Sequence, residues 1–408
     1  MCSSDLALLG LGAPIVLIEP WLGIERIDSV LETVKPRVFF SGWIGKLWGL
    51  RIASVRRIPY WKTAKDIYRR QHGAFHIENL EPGAHAVIAF SSGTAGKPRG
   101  AIRTQGYVCE MQGILSALEG QGHAGGPDLA IFPNVALYQL GTGRGAVLVP
   151  GRWKPESLAR IAQLPGALQP ETLSCGPAFL KALLRAPGFA RLRKFHVGGA
   201  LCDRWIFEQA FARWKHAEFT HVYGGSEAEP VALQDARKAA RLGAERGHFQ
   251  TLSVGQPIDL VRHELQPDAL WVSGPNVCPE YLGDPRENIG IKRRDGEGRL
   301  WHCMGDRVRA DAQGWWYAGR QFQKLEDFEL EQKLYALMQD SAAFIHRREN
   351  GELHLLGAQV LRHEDRIRRE YPQFAALHRA KIVRDRRHRA RIDRQASLPA
   401  ALRKPLAA

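Results

Sequence analysis

The stretch Phe90-Ser91-Ser92-Gly93-Thr94-Ala95-Gly96-Lys97-Pro98-Arg99-Gly100 follows directly on the apolar run 86–90. Its glycines let the backbone turn tightly and bring amide groups close to an anion. Ser91, Ser92 and Thr94 add neutral donors, and Lys97 and Arg99 add charge. A surface hairpin would account for the glycines but not for the packed hydroxyls and cations, so the stretch reads as a polyphosphate cradle. It is not a Walker loop, because that motif needs a glycine at position 91 and a hydroxyl where Pro98 stands.

On both sides of it, short β-branched or apolar runs alternate with helical stretches from residue 15 to about residue 320, the signature of α/β architecture. The pattern predicts strands at 14–18, 37–40, 85–90, 129–132, 146–149, 172–175, 194–197, 219–223 and 269–273. It predicts helices at 28–34, 107–118, 155–162, 177–185 and 204–214, where apolar residues recur at helical spacing. Beyond Arg320 glycine becomes rare while Arg, Glu and His become frequent, which places a domain boundary there: a large domain over 1–320 and a small one over 321–408. A second glycine-rich run, 141–146, fits the loose dinucleotide pattern. It leads into strand-like residues where a dinucleotide fold needs a helix, so it reads as a strand-to-strand turn.

The chain has 408 residues, 57 Lys+Arg against 42 Asp+Glu, and a formal charge of +15. That balance points to an anionic partner: a nucleotide, a nucleic acid or a membrane surface. The basic run 384–391 lacks interleaved aromatics, so it reads as a solvated face and not as a nucleic-acid site. Six scattered cysteines include no Cys-x-x-Cys pair and no zinc-ligand spacing, which suits a reducing cytoplasm. The longest apolar stretch, 6–18, is broken by Gly10, Gly12 and Pro14 and is too short to span a bilayer; a buried strand with its lead-in is expected. The opening Met1-Cys2-Ser3-Ser4-Asp5-Leu6 looks like a translated adapter remnant. An N-terminally truncated large domain, short by about a hundred residues on ordinary domain sizes, is therefore expected.

The cradle is followed by Val197-Gly198-Gly199-Ala200, Tyr223-Gly224-Gly225-Ser226-Glu227, Met304-Gly305-Asp306 and Gly319-Arg320, each at the end of a strand-like run or in a turn. In this order the motifs resemble the core series of the adenylate-forming superfamily, which includes acyl-CoA synthetases, luciferases and the adenylation domains of peptide synthetases. The resemblance implies a large multi-sheet α/β domain followed by a small, mobile α+β domain that rotates near Arg320 between half-reactions. It also implies ATP and Mg²⁺ as partners. Ser91, Ser92, Gly93, Thr94, Gly96, Lys97 and Arg99 would hold the β- and γ-phosphates. Gly199 and Ala200 would let adenine approach bare backbone, with Tyr223 and Gly224 against its ring. Ser226 would donate to the α-phosphate and Glu227 would hold the metal. Asp306 would accept the ribose hydroxyls, a task suited to an acceptor-only carboxylate, and Arg320 would touch the ribose-phosphate region.

The run 383–393 resembles the family's terminal motif, with Arg391 in the position of its lysine. Arg99 likewise stands where lysine is usual, Ser226 and Met304 replace threonines, and 321–324 lacks the acidic residue of the hinge. A planar guanidinium is not interchangeable with a compact ammonium, so a weakened member that binds nucleotide without efficient turnover is the alternative. The run 132–141, which lines the acyl side of the site in the family, is largely apolar and carries no acid to pair with an amino group. This favours a fatty or otherwise hydrophobic acid. The wording Gly225-Ser226-Glu227-Ala228-Glu229-Pro230 is similar to a branch of fatty acyl ligases that includes olefin β-lactone synthetases. The implied chemistry is acyl-adenylate formation, followed by transfer to CoA or a carrier-protein thiol, or by closure onto an internal hydroxyl.

Overall fold

Apolar strands of three to eight residues supply the centre of the molecule. Leu129, Leu173, Phe195 and Val197 are fully buried on successive strands, and Phe195 stacks on Phe219 with ring centroids 4.4 Å apart. Helices Pro155–Ala162, Pro177–Leu183 and Arg204–Arg213 cover them, contributing Leu158, Phe179 and Phe207 to one core. Two of these helices begin on proline, whose missing amide hydrogen is no loss at a first-turn position. Helix Ala236–Glu245 is capped by Asp235, whose carboxylate accepts from the Lys238 amide at 2.7 Å. The computed structural model describes residues 2–18, 23–63, 65–66, 77–91, 99–119, 126–149, 153–283, 285–384 and 391–402.

The described strands form five sheets. In the nine-stranded sheet, Ala146–Leu148, Asp128–Ala130, Thr172–Cys175, Lys194–Gly198 and Glu218–Gly225 run parallel. Ala228–Asp235, Ser253–Pro257, Gly314–Arg320 and Asp306–Asp311 then continue it antiparallel. Strand Glu218–Gly225 is therefore the switch point, parallel to one neighbour and antiparallel to the other. The crevice beyond the carboxyl ends of such strands is where open α/β sheets bind ligands.

A four-stranded sheet holds Ile15–Leu17, His85–Ser91, Arg99–Thr104 and Tyr281–Leu282 in that order. Here the phosphate-cradle sequence links two antiparallel strands, with Ser91 and Arg99 as register partners. A second four-stranded sheet contains Arg262–Leu265, Leu270–Ser273, Leu300–Cys303 and Lys292–Arg294. Strands Val38–Phe40 and Tyr60–Lys62 pair with each other. Ala343–Arg347, Leu353–Gly357 and Phe374–Arg379 make a three-stranded sheet near the C-terminus. Helix Leu325–Met338 joins that sheet to the rest. Its Phe328 packs with Leu242, Leu252 and Trp316, while Leu334 and Leu337 pack with Phe249, Ile345 and Leu355.

Two local expectations are corrected. The run 141–146 follows helix Pro133–Gly141, so it is a helix-to-strand turn; the Ala, Leu and Gln content of 134–140 favours a helix that an emphasis on its apolar character conceals. The lead-in to strand Ile15–Leu17 is itself a helix, Cys2–Gly10, whose Leu6, Leu8 and Leu9 pack against Ile15, Val87 and Leu137.

Candidate active site

At the carboxyl end of the switch strand, buried Tyr223 donates its hydroxyl to Asp306 Oδ2 at 3.0 Å. Asp306 and Arg320 are register partners on neighbouring antiparallel strands, so sheet pairing alone sets acid against base. Arg320 Nη1 lies 2.9 Å from Asp306 Oδ1 and also donates to the Met304 carbonyl at 3.3 Å. Burial works against the Arg320 charge, but Asp306, Tyr317, Tyr223 and Glu227 together outweigh it and hold the guanidinium pKa above its ordinary range. Burial, followed by the Asp306 charge, pushes the Tyr223 phenol up, which keeps it a donor. Asp306 Oδ1 is buried and accepts no aligned hydrogen bond. It retains the acceptor capacity that a ribose hydroxyl needs.

The glycine motifs lie beside this pair. Gly199 has φ +81, a left-handed conformation that disfavours other residues. Its carbonyl accepts from Arg391 Nη2 at 3.0 Å, bringing a side chain from the C-terminal run onto the turn before partly buried Ala200. Gly224 leaves room for the returning chain, since a Cβ there would stand 2.9 Å from the Ala228 carbonyl oxygen.

The Ser226–Glu229 turn is held by groups from four other segments. Arg103, buried on strand Arg99–Thr104, donates through Nη2 to the Ser226 carbonyl at 3.1 Å and to Glu229 Oε1 at 2.8 Å. Asn134 Nδ2 donates to the same oxygen at 3.3 Å. The Cys278 amide donates to the Glu227 carbonyl at 2.8 Å, and Lys292 Nζ donates to the Cys278 carbonyl at 2.5 Å. Glu227 Oε1 accepts from the Tyr281 hydroxyl at 2.7 Å. The other face of that story is Arg99, whose guanidinium carbon lies 5.5 Å from the Tyr281 ring centroid. Tyr281 thus connects the end of the phosphate loop to the acid.

Burial pushes the Glu227 carboxyl up, while His302, the Tyr281 hydroxyl and Lys292 pull it down, and the net direction is below the ordinary range. His302 is itself pushed down to about 3 by burial and Lys292, so at neutral pH it carries no charge. The Tyr281 hydroxyl and the Lys292 ammonium then keep Glu227 ionised. Lys292 is lowered to about 8 by burial. Among the described residues no group of three His, Cys, Asp or Glu could enclose a metal. A single ionised carboxylate still fits Mg²⁺, which keeps several waters and takes its other ligands from substrate phosphates.

The structure therefore brings Gly199, Ala200, Tyr223, Gly224, Ser226, Glu227, Asp306, Arg320 and Arg391 around the end of one strand, with Arg99 reached through Tyr281. Ser92, Gly93, Thr94, Gly96 and Lys97 lie outside the described residues, and Ser91 is described only as the last residue of its strand. Sequence reasoning missed Arg103, Tyr281, Lys292 and His302. Arg103 carried a signal, a lone cation in the otherwise apolar or small-residue run 100–104. The missing acid in 132–141 also reads differently, because Asn134 on helix Pro133–Gly141 touches Glu229 on strand Ala228–Asp235. Arg103 already neutralises that carboxylate.

Residues 1–282 match the family described as AMP-binding enzyme. Among curated proteins, the chain is 26% identical over 366 residues to an olefin beta-lactone synthetase of Stenotrophomonas maltophilia, covering 78% of this chain and 65% of that protein. It is also 26% identical over 269 residues to an indoleacetate–CoA ligase of Aromatoleum aromaticum, covering 59% and 48%. The chain thus spans less than two thirds of either relative. In fold it is similar to the O-succinylbenzoate coenzyme A synthetase of Bacillus subtilis in complex with ATP and magnesium, with TM-score 0.73, 17% identity and coverage of 96% of this chain and 85% of that one. It is likewise similar to the amide bond synthetase McbA of Marinactinospora thermotolerans, with TM-score 0.76, 16% identity and coverage of 95% and 85%.

Proposed function

This chain belongs to the AMP-binding enzyme family, and from that premise we propose that it activates a hydrophobic carboxylic acid of the fatty acyl type with ATP. A carboxylate oxygen of the acid attacks the α-phosphorus, the bond to the pyrophosphate oxygen breaks, and acyl-adenylate and pyrophosphate form. The acyl group then passes to the thiol of CoA or a carrier protein with loss of AMP, or a β-hydroxyl of the same acid closes on it as a β-lactone. The observation that carries the reading is the convergence of Gly199, Tyr223, Asp306, Arg320 and Arg391, five positions spread over 192 residues, at the carboxyl end of one strand.

In this reading Asp306 takes the ribose hydroxyls, with Tyr223 and Arg320 fixing its orientation. Ser226 donates to the α-phosphate, and Arg391 bears on the acid and the α-phosphate from the C-terminal run. Glu227 would hold Mg²⁺, which when bound offsets phosphate charge as pyrophosphate departs. Ser91, Ser92, Gly93, Thr94, Gly96, Lys97 and Arg99 would hold the outer phosphates. We read residues 1–320 as the large domain and 321–408 as the small one. Arg103 already engages Glu229, which supports an uncharged acyl tail over an amino acid.

Pyrophosphate exchange with a panel of medium- and long-chain acids tests the proposal. ATP-dependent exchange with at least one such acid is expected; no exchange with any acid would sink it. Arg391 and Arg99, standing where the family carries lysine, favour a second reading in which nucleotide binds without turnover. Calorimetry that gave ATP binding alongside zero exchange would select it.

A further inference from the structure

The nucleotide site accounts for few of the surplus cations. Residues 33–65 hold eight Lys and Arg and not one Asp or Glu, against a formal charge of +15 for the whole chain. Helix Trp43–Gly49 sits in the middle of this run. Its inner face is used: Trp48 packs on the cluster of Ile27, Leu31, Ile52, Val55 and Ile58, and Gly49 lies against Val55 and Phe39. Its outer face is bare. Trp43 is 70% exposed, Ile44 64%, Leu47 57% and Leu50 52%, and the spacing i, i+1, i+4, i+7 puts the four on one side. Exposed apolar residues scattered singly need no explanation, but four large ones in one stripe mark an interaction surface.

We propose that this face docks on an anionic phospholipid surface, with Trp43, Ile44, Leu47 and Leu50 entering the headgroup boundary. Exposed Lys35, Arg37, Arg51 and Lys62 meet the lipid phosphates. A tryptophan-bearing apolar stripe beside Lys and Arg is the arrangement of interfacial helices, which lie in the membrane plane without crossing it. No described helix is long and apolar enough to cross. Charge complementarity selects lipid over the other occupants. A second copy would set eight cations against eight, with only Glu32, already paired with Arg57, and Asp66 beside them as acids. Nucleic acid would satisfy the cations and leave Ile44, Leu47 and Leu50 in water. The proposal does not depend on which acid the enzyme activates.

The test is co-sedimentation of the full chain with vesicles of equal parts phosphatidylcholine and phosphatidylglycerol, and with vesicles of phosphatidylcholine alone. Binding at least tenfold tighter to the anionic vesicles, weakened by salt, is expected. The pair Trp43→Ser and Leu47→Ser, and separately the pair Arg51→Glu and Lys62→Glu, should each weaken it at least tenfold. All four side chains are exposed, so thermal melting and ATP–pyrophosphate exchange with a water-soluble acid should stay unchanged in both variants. The proposal is overturned by equal binding of wild type and either variant, by no binding to anionic vesicles, or by binding to RNA alone. Concentration-dependent dimerisation abolished by Trp43→Ser would overturn it in favour of a second copy.

Discussion

The proposed ribose side and the proposed metal side of the site each centre on one carboxylate, and they are built differently. Asp306 faces a permanent cation, Arg320, across a strand pair, with Tyr223 donating to its second oxygen. Glu227 sits on a turn and receives one neutral hydroxyl, from Tyr281, while Lys292 donates to the Cys278 carbonyl and Arg103 to the Ser226 carbonyl and Glu229. A carboxylate with its charge already balanced is suited to neutral hydroxyls. One that stays ionised without a direct cationic partner among the described residues is suited to a metal. The same chemical group is given two electrostatic settings by what stands about 3 Å away.

The largest effect should come from Asp306→Ala. It removes the ribose acceptor, strips Arg320 of its partner and leaves the Tyr223 hydroxyl unpaired. Exchange should fall about 10²- to 10³-fold and thermal melting should drop as well, because a half-buried charge is left uncompensated. Next comes Glu227→Gln, for which a fall of about 10²-fold is expected, together with a higher Mg²⁺ concentration at half-maximal exchange. Asp306→Asn should instead raise the KM for ATP at an unchanged Mg²⁺ requirement. Equal displacement of the Mg²⁺ requirement by both variants would break the distinction between the two sides.

The two sides also differ in how far sequence could reach them. Tyr223, Asp306 and Arg320 stand in short motifs at strand ends, and strand pairing does the rest, so their meeting was legible in the sequence. The strands from 128 to 223 were legible for a similar reason, being apolar runs bounded by turns. The supports of Glu227 were not. Tyr281, Lys292 and His302 come from two other sheets, and nothing local in their neighbourhoods signals a turn more than fifty residues upstream. Apart from 269–273, the short strands from 253 to 320 and the C-terminal sheet were also missed, since two- to seven-residue strands rich in Arg, Trp and His show little alternation. The outward face of helix Trp43–Gly49 escaped because a sequence that is apolar all round does not say which side is covered.

Arg391 gives a smaller effect that tests the link between the C-terminal run and the ribose side. Its Nη2 donates to the Gly199 carbonyl at 3.0 Å, at the edge of the site. Arg391→Ala should lower single-turnover pyrophosphate release about tenfold, or about 1.4 kcal/mol in barrier. Arg391→Lys should fall between, because charge is kept while the planar donor set is lost. Unchanged release in Arg391→Ala would remove Arg391 from the site.

The smallest effect isolates the metal side without touching Glu227. Burial lowers Lys292 to about 8 from an ordinary value of 10.5. Between these values the unfolded chain binds a proton there that the folded chain has lost. The unfolded state therefore binds more protons, and the Lys292 contribution to stability rises with pH across this window. From pH 8 to pH 9 the gain is about 1 kcal/mol, most of the 1.4 kcal/mol limit for one proton over one pH unit. Other lysines and tyrosines titrate nearby, so the informative quantity is wild type minus Lys292→Met, measured by urea unfolding at each pH. That difference should grow in favour of wild type from pH 8 to pH 9. A flat difference would mean that Lys292 keeps its charge well above pH 8, and the ammonium behind Glu227 would then resemble the permanent cation that faces Asp306.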